Sequence, residues 1–168
     1  MDIVRIQMKE PRPHTYQTEN HLIDDGYYWD RMGRADWPML TSAVDIHMSS
    51  LWVNGYSSYH GSNDRIPLDQ AESLPNSLAL IRANEVVISA TAEGAAFGDM
   101  QRKVRARWTW KGQSYAVRVT DPEIEQCALS QPDTHLRLEN ALVCVSLGEP
   151  LDNYVYKLAA AIITPCRV

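Results

Sequence analysis

The clearest alternation of apolar and polar residues in the chain lies in residues 101–120. Two alternating runs, QRKVRARWTW and QSYAVRVT, flank the dipeptide Lys111-Gly112. A two-residue connector that ends in Gly favours a type I′ turn, because both central residues of that turn need a positive φ. The sequence therefore predicts a β-hairpin with its turn at this dipeptide.

Successive side chains of a strand point to opposite faces, so the predicted hairpin has an apolar face and a cationic face. Trp108 and Trp110 share the apolar face with valines and are predicted to lie in the core rather than to stack on bases. The cationic face and its ends carry Arg102, Lys103, Arg105, Arg107, Lys111 and Arg118. Arg105 is predicted to lie opposite Arg118, and this like-charge pair is costly unless an anion or an acidic side chain lies over it. The cationic face is therefore the best candidate for a binding surface.

Similar patterns predict about seven strands and three or four short helices in the whole chain. Besides the hairpin, strands are predicted at Val4 to Lys9, Leu78 to Arg82, Glu85 to Thr91, Ala141 to Leu147 and Tyr154 to Ile163. Helices are predicted near Asp25 to Met32, from the N-cap Asp36 to about Val44, from Pro67 to Leu74, and from the N-cap Asp121 to just before Pro132. Tyr27, Tyr28 and Trp29 are expected to pack within the first of these helices.

Short strands, frequent turns and a helix between the later strands predict a mainly β protein with short peripheral helices. The predicted architecture is a small, partly open barrel of the oligonucleotide/oligosaccharide-binding (OB) kind. Residues 77–168 are expected to form this OB-like barrel, and residues 1–76 a separate strand with a helical and loop-rich lobe. An α+β protein with an open sheet is the alternative.

Composition and charge narrow the possible functions. The 168 residues are 45% hydrophobic and 22% charged, with a formal net charge of −5. This balance argues against a protein that coats nucleic acid generally, but it allows one basic patch on an acidic body. The cysteines Cys127, Cys144 and Cys166 lack metal-like spacing and are predicted to be reduced thiols. Without a signal peptide pattern or a long apolar run, the chain is predicted to be cytoplasmic.

Catalytic motifs are missing from the sequence. A P-loop, a G-x-G-x-x-G run and a G-x-S-x-G turn are all absent, and the Gly-containing stretch 92–98 is interpreted as a strand connector. The polar loop His14–Asp25 contains the metal-ligand types Glu19, His21, Asp24 and Asp25. Their spacing is not diagnostic of a metal site. The chain is therefore predicted to be non-enzymatic, without metal or cofactor, and an enzyme using a metal in this loop is the weaker alternative.

A second candidate site is the Gly- and Ser-rich segment that follows residue 54. Its aromatic, amide and charged side chains are Tyr56, Tyr59, His60, Asn63, Asp64 and Arg65. Such groups can read a base or bind a small ligand. They can equally hold a long loop in place through side-chain-to-backbone hydrogen bonds.

Five blocks of the sequence resemble bacterial dual OB domain-containing proteins. In chain order they are PHTYQTENHLIDDGYYW, SSYHGSNDRIP, AEGAAFG, VTDPEIE and VSLGEPLDNYVYKLAAAII. The resemblance implies OB-like folding and a nucleic-acid-binding component, in some cases linked to prokaryotic defence. Two features depart from the family: its members carry some tens of residues before the position of Met1, and Leu151-Asp152-Asn153 replaces an aromatic residue and a Gly.

The resemblance implies that residues 1–76 contain an incomplete OB-like unit. An open sheet edge there is expected to be covered by a protein partner or by a second copy of the chain. The predicted function is a non-enzymatic module that binds single-stranded DNA or RNA through its basic hairpin, within a bacterial defence assembly. The alternative is an interaction subunit that docks the same hairpin on an acidic protein.

Overall fold

The computed structural model of the protein describes residues 1–95, 98–131 and 135–168. Its strands are β1 (Asp2–Arg5), β2 (Met8–Pro11), β3 (His21–Ile23), β4 (Asp30–Arg34), β5 (Arg65–Pro67), β6 (Leu78–Thr91), β7 (Lys103–Trp110), β8 (Gln113–Val119), β9 (Leu136–Leu147) and β10 (Tyr154–Ile163). Its α-helices are α1 (Trp37–Ser42), α2 (Leu68–Ala71) and α3 (Pro122–Ser130), and a short 3-10 helix spans Pro165–Arg167. The predicted class, mainly β with short helices, is confirmed.

Strands β6 to β10 form a closed five-stranded barrel. The order around the barrel is β6, β7, β8, β10 and β9, and β9 pairs back with β6. Every neighbouring pair is antiparallel except β8 and β10, which run parallel. Helix α3 connects the third and fourth strands of the barrel. The strand β5 extends the sheet beyond β10.

The hairpin has the register that its turn predicts. Arg105 pairs with Arg118 and Trp108 with Tyr115. Lys111 and Gly112 have φ values of 47° and 75°, as a type I′ turn requires. The rings of Trp108 and Tyr115 stack in the core, with centroids 5.5 Å apart. The predicted core positions of Trp108 and Trp110 are confirmed, since they are 4% and 9% exposed.

The two strands predicted at 78–82 and 85–91 are wrong, because β6 is one strand of 14 residues. Ala83, predicted to be part of a turn, is buried and pairs with Ala141 of β9. Asn84 and Glu85 are both exposed, so the alternation of buried and exposed side chains shifts by one residue between them. The register with β9 is the same on both sides of this point, so no residue is inserted. The irregularity is shared with β9, where Asn140 has a positive φ of 50°.

The helix predicted near Asp25 to Met32 is also wrong. These residues form a turn followed by β4, which pairs with β1. The turn is closed by the Asp24 carboxylate, which accepts a hydrogen bond from the Gly26 N–H at 3.0 Å. Such a local side-chain bond competes with helix formation. Tyr27, Tyr28 and Trp29 therefore do not pack in a helix.

Residues 1–44, all of which the structure describes, have little core of their own. Strand β1 pairs with β4 and β2 pairs with β3, in two separate two-stranded sheets, which we call the N-terminal ribbons. The predicted single strand 4–9 is thus two short strands. Tyr16 and Ala35 are the buried residues of this region. The Tyr16 hydroxyl donates to the Gly148 carbonyl at 2.7 Å and links the region to the barrel.

Three predicted helices are present, although two are shorter than expected. The N-cap Asp36 of α1 accepts from the Met39 N–H at 2.9 Å. The N-cap Asp121 of α3 accepts from the N–H groups of Glu123 and Ile124. Helix α2 covers only the start of the helix predicted at 67–74. No helix in the described part of the chain is long and apolar enough to cross a membrane.

Candidate functional site

An open groove of about 750 Å³ crosses the outer face of β6, β7 and β8. The strand register aligns Val87, Arg107 and Ala116 in one row across this face. Thr109 and Ser114 form the next row towards the turn. The small side chains leave room above the sheet, so the Arg107 guanidinium is the largest polar group on the floor of the groove.

Arg107 and Lys111 supply the positive charge of this groove. Arg107 is exposed, and its guanidinium donates a hydrogen bond to the Ser89 hydroxyl. The Lys111 ammonium donates to the carbonyl oxygens of Ile46 and Met48 and lies 4.9 Å from the centroid of the Trp110 ring. Among the described residues, neither cation forms a salt bridge with a carboxylate. Both charges are therefore available to an anion from solvent.

Arg105 and Arg118, by contrast, have acidic partners. The Arg105 guanidinium is 11% exposed and contacts the carboxylates of Glu93, at 3.0 Å from Nη2, and of Asp64, at 3.3 Å. The Arg118 guanidinium lies 3.3 Å from the Glu125 carboxylate. Acidic side chains of the chain itself thus compensate the like-charge pair, which was one of the two solutions open from the sequence.

Arg102 and Lys103 lie at the other end of the hairpin. Arg102 donates hydrogen bonds to the carbonyl oxygens of Leu129 and Gln131, at 3.1 Å and 2.9 Å. The Lys103 ammonium donates to the Gln101 side chain. Neither residue lines the groove. The six predicted cations therefore divide into two in the groove, two in carboxylate pairs and two at a distance from the groove.

Most side chains of the second candidate loop anchor it to neighbouring parts of the chain. Tyr56 accepts from Gln70 at 2.9 Å, and the Arg65 guanidinium stacks 4.0 Å above the Tyr154 ring. The Asn63 amide donates to the Ser114 carbonyl at 3.0 Å, and a His60 ring nitrogen lies 2.8 Å from the Glu93 carbonyl. Tyr59 differs from these four, because 93% of it is exposed and its ring packs edge-to-face with the His60 ring.

The same loop covers a buried lysine that the sequence interpretation missed. Lys157 is 1% exposed, and its ammonium donates to the Val53 carbonyl at 2.7 Å and to the Asn54 side chain at 2.9 Å. Burial lowers its pKa to about 7, and the Asp64 carboxylate opposes that shift. The signal was present: Lys157 stands between Val155 and Ala159 at the inward positions of β10.

Polar and charged groups of the loop His14–Asp25 contact one another and neighbouring segments of the chain. The Glu19 carboxylate accepts from the Ser77 N–H at 3.0 Å, and a His21 ring nitrogen lies 2.8 Å from the Glu19 carbonyl. Lys9 lies 2.7 Å from the Asp25 carboxylate. In the described residues, no three His, Cys, Asp or Glu side chains come together as a metal ion would require. The three cysteines are free thiols.

The barrel and its groove define an OB-fold protein. OB folds are five-stranded barrels that bind oligonucleotides and oligosaccharides on the face of the second and third strands, which are β7 and β8 here. A model of the dual OB-containing domain family matches residues 1–162. The chain therefore belongs to this family, as its sequence blocks indicated. Neither the curated proteins nor the solved structures include a significant match.

Proposed function

We propose that the protein is a non-enzymatic OB module that binds single-stranded DNA or RNA in the groove of β6, β7 and β8. The position of Arg107 carries this proposal: it lies on the floor of a groove of about 750 Å³ and has no acidic partner among the described residues. Arginine binds phosphate oxygens through paired N–H donors. Lys111 would supply a second phosphate contact at the turn.

The remaining lining of the groove suits bases rather than additional phosphates. Thr109, Ser114 and Asn84 line it and offer hydroxyl and amide groups to base edges. Glu85 is the acidic lining residue, and its carboxylate lies 3.0 Å from the guanidinium of Arg137. Tyr59 does not line the groove, but its exposed ring offers a surface on which a base can stack.

The net charge of −5 makes the expected binding local and salt-dependent. Two phosphate contacts on a single strand predict that log K falls with log[salt] with a slope of about −1.4. A surface that docks on a folded acidic protein would not bind free oligonucleotides with such a dependence. Salt titration therefore separates the proposed function from the docking alternative.

Arg107→Glu tests the proposal directly. We expect the variant to bind a fluorescent dT or rU oligonucleotide at least about tenfold more weakly at low salt, and the salt slope to fall by about 0.7. The matched control is Arg82→Glu, an exposed arginine of β6 outside the groove, which should retain wild-type affinity. A folded Arg107→Glu protein with wild-type affinity, measured by anisotropy, would show that the groove is not the binding site.

A second proposal concerns the N-terminal ribbons, where a protein partner or a second copy of the chain would cover the open strand edges. Its support is the near absence of buried residues in 1–44. Isolated two-stranded sheets are marginally stable, and unpaired edges attract further strands. Light scattering over a range of concentrations should give a mass above 19.0 kDa if a second copy binds. A constant 19.0 kDa would leave a different protein as the partner.

The proposal extends to a place in a bacterial defence assembly. That part rests on the resemblance to dual OB domain-containing proteins alone. The genes beside the one that encodes this chain provide the check, since defence components are expected among them.

A further inference from the structure

Three consecutive aromatic residues, Tyr27, Tyr28 and Trp29, are exposed at one corner of the N-terminal ribbons. Their exposed fractions are 64%, 97% and 60%. Aromatic side chains contribute large apolar areas when they are packed, so three neighbouring exposed rings indicate a binding surface. No ring of this group stacks on another aromatic ring in the described part of the chain. Their faces are free for a ligand.

The segment that presents these rings is held in a defined shape. The Tyr27 N–H donates to the Asp24 carbonyl at 3.3 Å, and the Asp24 N–H donates to the Gln7 carbonyl at 2.9 Å. On the other side, the Arg5 guanidinium lies 2.8 Å from the Asp30 carboxylate. These contacts fix both ends of the segment. The rings therefore lie on a turn that has hydrogen-bond or ion-pair contacts on both sides.

A small cleft of about 270 Å³ lies beside the rings, lined by Arg5, Gln7, Tyr27, Tyr28 and Asp30. This volume is below the range of sites for drug-sized molecules and suits one ring system. Two tyrosines provide stacking surfaces. The Gln7 amide offers both a hydrogen-bond donor and an acceptor, as reading the edge of a base requires.

The charges around the cleft are paired, with one more carboxylate than cations, and do not favour a phosphate. Arg5 pairs with Asp30, Arg31 with Asp2, and Lys9 with Asp24 and Asp25. A flat, uncharged ligand with polar edges fits such a surface better than an anion does. Among the parts of a nucleic acid, this description applies to the base.

We propose that the Tyr27–Trp29 segment and its cleft form a second contact for single-stranded nucleic acid, one that stacks an unpaired base. This contact rests on the proposed function, since the strand would also engage the groove. The two contacts differ in physical character: the groove attracts phosphates and is salt-dependent, whereas the base site works by stacking and is insensitive to salt.

The test compares full-length variants in oligonucleotide binding by fluorescence anisotropy. Tyr28→Ala should weaken binding of labelled dT or rU oligonucleotides about tenfold, with the wild-type salt slope unchanged. Tyr28→Phe should retain wild-type affinity, because stacking needs the ring and not the hydroxyl. Met32→Ala is the matched control, since it removes an exposed apolar side chain, 56% exposed, from the same ribbon without removing a ring.

The outcomes separate this inference from the proposed function. If Tyr28→Ala binds like the wild type while Arg107→Glu binds weakly, the base site is wrong and the groove stands. If no form of the protein binds oligonucleotides, both proposals fall together. A further outcome is that Tyr28→Ala leaves oligonucleotide affinity unchanged and gives a lower mass in light scattering than the wild-type protein gives. That result would assign the rings to a protein interface and overturn the base site.

Discussion

Arg105 and Arg118 lie opposite each other on β7 and β8, and the surrounding carboxylates decide what each can do. The sequence predicts the pair, because the turn sets the register of the hairpin. It does not identify the partners, since Glu93 and Asp64 are 12 and 41 residues away from Arg105 along the chain. Arg107, two residues further on, meets no such carboxylate among the described residues. The candidate site therefore depends on Arg107 and Lys111 rather than on the whole predicted cationic face.

Lys157 gives a pH test at the scale of a single residue. Its pKa of about 7 in the folded protein lies below the ordinary lysine pKa of 10.5, because the ammonium is buried. Between these two pH values the unfolded chain binds more protons than the folded chain, so stability rises with pH. The slope is at most about 1.4 kcal/mol per pH unit. Below pH 7 both states carry the proton, and the full cost of burying the charge remains.

Replacing Lys157 by Met should remove this contribution. Urea unfolding between pH 7 and pH 9 would then show a smaller rise in stability for Lys157→Met than for the wild type. Lys9→Met, a change at an exposed lysine, controls for the general effect of losing a lysine. An identical pH dependence for Lys157→Met and the wild type would mean that the buried ammonium has an ordinary pKa.

At the scale of elements, period-two alternation predicted the barrel strands well and the N-terminal ribbons poorly. Strands β7, β8 and β10 bury every second side chain along most of their length. Their hydrophobic pattern is therefore sufficient to predict them as strands. In β6 the two consecutive exposed residues Asn84 and Glu85 interrupt that pattern, and the sequence therefore predicted two strands there. Strands β1 to β4 contain no buried residue. Their pairing therefore leaves no hydrophobic pattern to detect.

The loop between residues 54 and 66 is held against the barrel by Asp64. Its carboxylate accepts from the Ser58 N–H at 2.7 Å and from the Arg105 guanidinium at 3.3 Å, and it is buried. A Cβ atom at Gly61 would overlap this carboxylate. Gly61→Ala should thus displace Asp64 and destabilise the protein by about 1–3 kcal/mol, as other overpacked sites do.

Chemical denaturation measures this effect against a matched control. Gly33→Ala adds the same methyl group where nothing lies within 4 Å, and it should change stability by less than about 0.5 kcal/mol. Equal stability of the two variants would indicate that the loop adjusts freely around Asp64.

At the scale of the whole molecule, a well-packed barrel is joined to ribbons with almost no core. The barrel presents a groove with two unpaired cations among the described residues, and the ribbons present three exposed aromatic rings. The sequence predicted the hairpin cations, but it assigned the aromatic residues to a helix, because helix and strand propensities differ little in a short segment with no buried face. The proposed function requires a nucleic acid strand to contact the groove, and the proposed base site requires it to contact the rings as well.

The most direct measurement is the change in backbone amide NMR shifts when a short single-stranded oligonucleotide is added to the full chain. The account predicts the largest changes at Arg107, Thr109 and Ser114, on the floor of the groove, and weaker changes at 27–29. The shift changes in α3 should be small, because this helix lies outside the groove. Changes confined to α3 and β9, with the groove residues unaffected at saturating oligonucleotide, would contradict the central claim.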